Sequence, residues 1–181
     1  MKRVLSLSLM LCAQMLGSVA LAAGSYFPDT PGKSWKYSSG ETQQLGQPVV
    51  IRGVNVIPTA HIIGGRTVSE DLNEYRGGGV FLRGVRIGAQ VIWYNPPLTI
   101  YPSSPLSLNQ HWESASGSLK LSSRVIGSEP LSLSAGNFNT LVIRTDVNSG
   151  AATSSQFTYF VPGLGVVRFQ TAGGQVTDLQ K

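Results

Sequence analysis

The stretch Leu141-Val142-Ile143-Arg144-Thr145-Asp146-Val147 decides the fold class. Positions 141, 143, 145 and 147 share one side, while Arg144 and Asp146 point to the other, the alternation of a half-buried β-strand. Upstream, Leu119, Leu121, Ser123 and Val125 oppose Lys120, Ser122 and Arg124 in the same way. Further strand-sized blocks cover 34–38, 49–57, 80–86, 89–94, 156–161, 166–171 and 175–179. Between them lie Ser39-Gly40, Gly64-Gly65, Gly77-Gly78-Gly79, Ser116-Gly117, Gly136-Asn137, Ser149-Gly150, Pro162-Gly163 and Gly173-Gly174. Turn chemistry recurring every ~10 residues is the spacing of antiparallel meanders, so the chain is expected to be all-β and antiparallel. The one helical expectation is 69–75, with Ser69 as N-cap and Glu70 and Asp71 in its first turn.

Asn95-Pro96-Pro97 and Pro102-Ser103-Ser104-Pro105 interrupt the pattern. Proline lacks a ladder donor, so an extended, irregular connector is expected near 95–105 rather than a central strand. The halves on either side echo each other. Trp35 and Trp112 each precede a Ser-Gly pair by the same spacing, and Val80-Phe81-Leu82-Arg83 is matched by Val166-Val167-Arg168-Phe169. The expectation is one β domain over 23–181, built from two similar halves, with Trp35 and Trp112 filling the core of each.

The first residues read as an export signal. Lys2 and Arg3 precede an apolar run over 4–16, and Ser18-Val19-Ala20-Leu21-Ala22 ends in an A-x-A pattern. This fits a signal peptide over 1–22, cut after Ala22 with Ala23 as the alternative. Cys12 follows Leu11 rather than a small residue, so it belongs to the signal and not to a lipobox. It is the chain's one cysteine, so the exported domain is expected to be held by its core and not by disulfides. No membrane span is expected after cleavage, and the localisation expected is periplasmic or extracellular.

With the signal removed, the formal charge of +5 falls to +3. The remaining basic residues are scattered, without aromatic interleaving, which argues against nucleic acid as a partner. Only 13% of residues are charged, yet 41% are hydrophobic and fall in strand-sized blocks, which excludes a disordered chain. The densest basic group, Arg76, Arg83 and Arg86, suits either an anionic ligand or the outward face of a strand pair.

Several motifs together carry a resemblance. Tyr26-Phe27-Pro28 is followed by Gly32-Lys33-Ser34-Trp35-Lys36-Tyr37. Later come Pro96-Pro97-Leu98, Ala135-Gly136-Asn137-Phe138 and Tyr159-Phe160-Val161-Pro162-Gly163-Leu164-Gly165-Val166-Val167-Arg168. The order resembles that of uncharacterised bacterial envelope proteins and spans nearly the whole exported chain. Asn109 and Ser134 depart from the pattern, where Gly and Pro are usual. The resemblance implies a strongly curved sheet, a half-barrel or open barrel similar to periplasmic lipoprotein carriers, which hold acyl chains on the concave face. It transfers no activity, cofactor or catalytic residue.

Chemistry is thinly signalled. His61, and His111 with Glu113 two residues on, give no spacing for the three ligands a zinc site needs, so no metal is expected. There is no G-x-S-x-G element, and Gly77-Gly78-Gly79 lacks the Lys-Ser/Thr of a phosphate loop. Glu70 and Glu74 are a carboxylate pair on a polar segment. Trp93, Tyr94 and Tyr101, bordering the connector, are the expected ligand patch, since aromatics combine large contact area with a polar tip. Three readings follow: a non-enzymatic envelope protein binding an apolar or lipid ligand, a structural or protein-interaction module of the envelope, and a hydrolase of envelope polymers. The last requires a cleft bringing His61 or His111 to a carboxylate.

Overall fold

A computed structural model describes residues 25–181. The signal peptide, its cut after Ala22 or Ala23, and Cys12 lie outside the described residues. Every regular element described is a strand, as expected. In chain order they are β1 (Ser34–Lys36), β2 (Glu41–Leu45), β3 (Val49–Ile51), β4 (Val54–Ile63), β5 (Arg66–Arg76), β6 (Gly79–Ile87), β7 (Gln90–Tyr101), β8 (His111–Ser116), β9 (Leu119–Leu133), β10 (Gly136–Asn148), β11 (Thr153–Val161), β12 (Gly165–Thr171) and β13 (Val176–Asp178).

All pairings are antiparallel, and they form two sheets. The first runs β1-β2-β4-β5-β6-β7, with β3 folded back on β4, and the second runs β13-β12-β11-β10-β9-β8. Neither closes into a barrel of its own, and β-bulges in the β4–β5, β5–β6, β6–β7, β9–β10 and β11–β12 ladders bend and twist them. Each sheet is thus a six-strand meander, apart from the inserted β3. The two sequence echoes fall on equivalent members: Trp35 and Trp112 on the first strand of each, and Val80 and Val166 on the fifth.

The last strand of each meander meets the first of the other. At one seam Tyr37 bridges to Leu179, flanked by Ser38 N to Asp178 O and Gln180 N to Lys36 O, both 2.8 Å. At the other, β7 offers its backbone donors to serine hydroxyls of β8: Asn95 N to Ser116 Oγ at 3.1 Å and Thr99 N to Ser114 Oγ at 3.0 Å.

Two expectations are corrected. Residues 69–75 are not helical but form the middle of β5, where β4 and β6 pair on both sides and Leu72 is fully buried. Helix-starting chemistry at Ser69-Glu70-Asp71 loses to two strands that satisfy the whole backbone. The connector also begins later than expected, because β7 continues through Asn95-Pro96-Pro97 to Tyr101. It is the outermost strand of its sheet, and residues 94–97 bulge where the pairing jumps from Gly84–Trp93 to Leu82–Leu98. Proline is tolerated at such an edge. The chain leaves the sheet only after Tyr101.

The core forms two clusters, each drawing on both sheets. One gathers Trp35, Tyr37, Leu45, Leu131, Val142, Tyr159, Val167 and Leu179. The other gathers Phe27, Val80, Leu106, Trp112, Val125, Ile143 and Phe160. Val142 and Ile143 are both buried, so β10 contributes to both clusters, and the expected alternation is blurred, with Thr145, Asp146 and Val147 all half-buried. Trp35 and Trp112 are both core residues, at 8% exposure each. Burial of side chains of this size contributes ~1.5–3 kcal/mol apiece. Phe27, from the segment before β1, stacks on Tyr101 with centroids 4.8 Å apart and plugs the space between the sheets.

Gly84 marks the tightest backbone approach. A Cβ there would sit 2.3 Å from the Ile92 carbonyl oxygen, whereas one at Gly127 would meet nothing within 4 Å. Gly84→Ala is therefore expected to lower the unfolding free energy by about 1–3 kcal/mol, and Gly127→Ala to stay within about 0.5 kcal/mol of the parent. Urea denaturation of the two variants side by side checks this; equal midpoints would refute it.

Candidate functional site

The inner face of the first sheet sets the site. Cross-strand register places Gln43 opposite His61, and Leu45 opposite Thr59 opposite Asp71. These odd-numbered positions face the second sheet, and beside them Asn73 and Tyr75 continue the row along β5. Where the second sheet turns away, a half-open cavity of about 230 Å³ remains. Its rings come from Trp35, Tyr37, Tyr75 and Tyr101 on one side and Phe160 and Phe169 on the other.

The polar tips of three of these rings are taken up by backbone carbonyls. Trp35 Nε1 donates to Leu164 O, Tyr37 Oη to Val166 O and Tyr75 Oη to Pro28 O, each at 2.8 Å. What the cavity meets is therefore ring face and edge. Burial pushes the hydroxyls of Tyr37, Tyr75 and Tyr101 well above the ordinary tyrosine range, so all three stay neutral.

At the opposite end His61 is clasped by two carboxylates. Its Nδ1 lies 2.7 Å from Glu41 Oε1 and its Nε2 3.2 Å from Asp71 Oδ2. The hydrogen bond to Asp71 lifts its pKa to about 9, against the opposing pull of burial and with the negative charges of Asp71 and Glu41 assisting. The imidazole is thus a cation at neutral pH with both N–H groups engaged. Gln43 Nε2 donates to the same Glu41 oxygen at 3.0 Å, and Asn73 Nδ2 to Thr59 Oγ1 at 3.1 Å.

The contact required by the hydrolase reading is present, but its chemistry runs the other way. A general base needs a free lone pair, and His61 has none while both carboxylates hold it. His111 is exposed and has Ser122 Oγ at 3.1 Å and Glu113 Oε1 at 3.4 Å, both on Nε2. A nucleophile and its orienting acid belong on opposite ring nitrogens, so this is not a triad geometry. The remaining candidates pair off. Glu74 binds Arg83 at 2.7 Å and Arg76 at 3.5 Å, and Glu70 binds Arg86. The two carboxylates thus each take at least one arginine of the group across β5 and β6, leaving one positive charge in excess. Among the described residues no group of His, Cys, Asp and Glu is arranged to hold a metal ion, and there is no helix long and apolar enough to cross a membrane.

The three aromatics expected to form one patch are divided. Tyr101 lies among Phe27 and Phe160, with centroids 4.8 and 5.2 Å away, and lines the cavity. Tyr94 follows Ile92 on the inward-facing register, and its hydroxyl is pushed up by burial and then by the charge of Asp71. Trp93 pairs with Gly84 on the opposite face, beneath the Arg52 guanidinium at 5.6 Å. Sequence reasoning passed over Gln43, Asp71, Asn73 and Tyr75 because polar residues alternate with polar residues along β2 and β5, and no periodic contrast marks the inner face.

No family model matches the chain, and no curated protein does. Among solved structures, a candidate lipoprotein from Parabacteroides distasonis ATCC 8503 is similar at a TM-score of 0.50 and 13% identity, over 88% of this chain and 98% of that one. A candidate exported protein with a YmcC-like fold from Bacteroides fragilis NCTC 9343 gives 0.48 and 11% identity, over 87% and 98%. The likeness is one of fold. At such identity it transfers no site and no activity.

The clasp on His61 has a measurable consequence. Below the ordinary value of 6.5 the imidazole is protonated in both folded and unfolded chains, and its stabilisation is fully present; as pH rises through about 9 the folded form loses the proton and that stabilisation disappears. An NMR titration should find the His61 ring shifting near pH 9, and the fall in urea midpoint over that window should flatten in His61→Gln. A His61 midpoint near 6.5 would refute the clasp.

Proposed function

We propose that this protein is exported to the cell envelope and acts there without catalysis, holding the apolar part of a ligand in the half-open cavity between its two sheets. The leader at 1–22 supports export, and the lipoprotein description of the Parabacteroides neighbour fits an envelope location. The observation that carries the ligand reading is the cavity wall, where Trp35, Tyr37 and Tyr75 turn their polar tips to backbone carbonyls and leave an aromatic surface inward. At about 230 Å³ the space falls below the ~300–1,000 Å³ of sites that enclose a whole drug-sized molecule. It takes one chain end or one small ring, not a complete phospholipid.

Three apolar side chains extend this surface beyond the cavity. Ile63, Ile87 and Ile92 lie on the inner-face register of β4, β6 and β7, exposed at 53%, 53% and 45%. They favour a second reading, in which the same lip receives an apolar element of an envelope partner protein.

Native mass spectrometry of the protein recovered from its own envelope, compared with the same sample denatured, separates the two. Added small-molecule mass that disappears on denaturation is the expected result. A bare chain that also leaves the fluorescence of an apolar dye unchanged would overturn the ligand reading. A protein that crosslinks through cysteines placed at Ile63 and Ile92 would then favour the second.

A further inference from the structure

We infer that the cavity selects a ligand whose polar head donates hydrogen bonds and carries no negative charge. This rests on the ligand reading above and specifies which amphiphile fits it. The charged groups lining the cavity are His61 and Asp71; no lysine or arginine lines it. The one cation is already spent, since each of its N–H groups is held by a carboxylate, Glu41 on one side and Asp71 on the other. Glu41, His61 and Asp71 together carry a net charge of about −1 at neutral pH, because the imidazole is protonated.

The hydrogen-bonding inventory points the same way. Asp71 accepts from His61 through Oδ2, and its Oδ1 takes no hydrogen bond among the described residues, with the side chain 37% exposed. Gln43 directs one amide proton to Glu41 and Asn73 one to Thr59, so each amide keeps both a carbonyl acceptor and a second N–H, and the free carboxylate oxygen of Asp71 is what sets the preference for a donating head. An ammonium or hydroxyl head would complete these acceptors. A carboxylate or phosphate head would face Asp71 at short range with no free cation to offset the repulsion, and would have to displace Glu41 or Asp71 to reach His61.

The test uses three probes with one tail and different heads, octylammonium, octyl glucoside and octanoate, each below its micelle concentration at pH 7 and constant ionic strength. Binding is read from Trp35-sensitive fluorescence and from NMR shifts of the Tyr75 and Phe169 ring protons. Octylammonium and octyl glucoside are expected to bind, with octanoate weaker by about tenfold or more. In Asp71→Asn the gap between octanoate and octylammonium should close to within about threefold, while octyl glucoside changes little. Octanoate binding as tightly as octylammonium to the parent protein would overturn the head preference and leave the cavity reading standing. Failure of all three to bind would overturn the cavity reading, and the head preference with it. The comparison among probes on the parent protein stands whether or not the variant folds.

Discussion

The structure depends on how its first strand is fastened to a turn far along the chain. Lys33, Trp35 and Tyr37 alternate on and immediately beside β1, and each reaches a carbonyl in the segment around β12: Lys33 Nζ to Gly163 O at 2.5 Å, Trp35 Nε1 to Leu164 O and Tyr37 Oη to Val166 O. The partners are 129 or 130 residues apart in sequence. Gly165 allows the approach: its φ is +112°, and a Cβ there would press on Pro28 Cγ at 3.3 Å and Trp35 Nε1 at 3.4 Å. The G-x-x-W-x-Y opening and the P-G-L-G-V stretch, conspicuous as separate motifs in the sequence, are the two sides of one joint.

From that joint the rest of the arrangement follows. Strand β1 is three residues long and would be a weak edge alone. Tied to Leu179 on its outer side and to the carbonyls around β12 through its side chains, it fixes the first sheet against the second at that end. The other seam uses serine hydroxyls in place of a backbone ladder, so the two halves meet by unequal means. The second sheet covers the inner face of the first where Trp35, Tyr37 and Leu45 pack with Leu131, Val142, Tyr159 and Val167, and where Tyr75, Val80 and Tyr101 pack on Phe27 and Phe160. Toward Glu41, His61 and Asp71 that face lies open, and the cavity occupies the boundary between the two regions.

What could be read from the sequence was what local period controls. Parts of β9 and β10, over 119–125 and 141–147, and most turns were legible, because alternation and glycine placement act over a few residues; Gly136-Asn137, which reads as a turn, opens β10 instead. The extent of β7 was not, since proline's penalty depends on whether a strand is central or at an edge, and only the sheet order decides that. Residues 69–75 were read as helical because Ser69, Glu70 and Asp71 suit a helix start when neighbours are ignored. Of the aromatic residues expected to form a patch near the connector, Trp93 and Tyr94 are adjacent on a strand and face opposite ways. The site itself draws on β1, β2, β4, β5, β6, β7, β11 and β12, and no window along the chain contains it.

The Glu41–His61–Asp71 group raises a question of energetics whose answer bears on function. Bringing a cation and two anions to a half-buried wall incurs a desolvation penalty, and well-packed apolar side chains there would hold β2, β4 and β5 together as well or better. Stability is therefore a weak explanation for the group. What ions do and apolar side chains cannot is fix an acceptor in place: His61, held from behind by Glu41, pins one oxygen of Asp71 and leaves the other without a hydrogen bond among the described residues. Preorganising an acceptor before a ligand arrives removes part of the ordering cost of binding. On the proposed ligand reading, an aromatic cavity with one fixed carboxylate oxygen at its polar end would orient the ligand, tail toward Tyr101 and Phe160 and head toward Asp71.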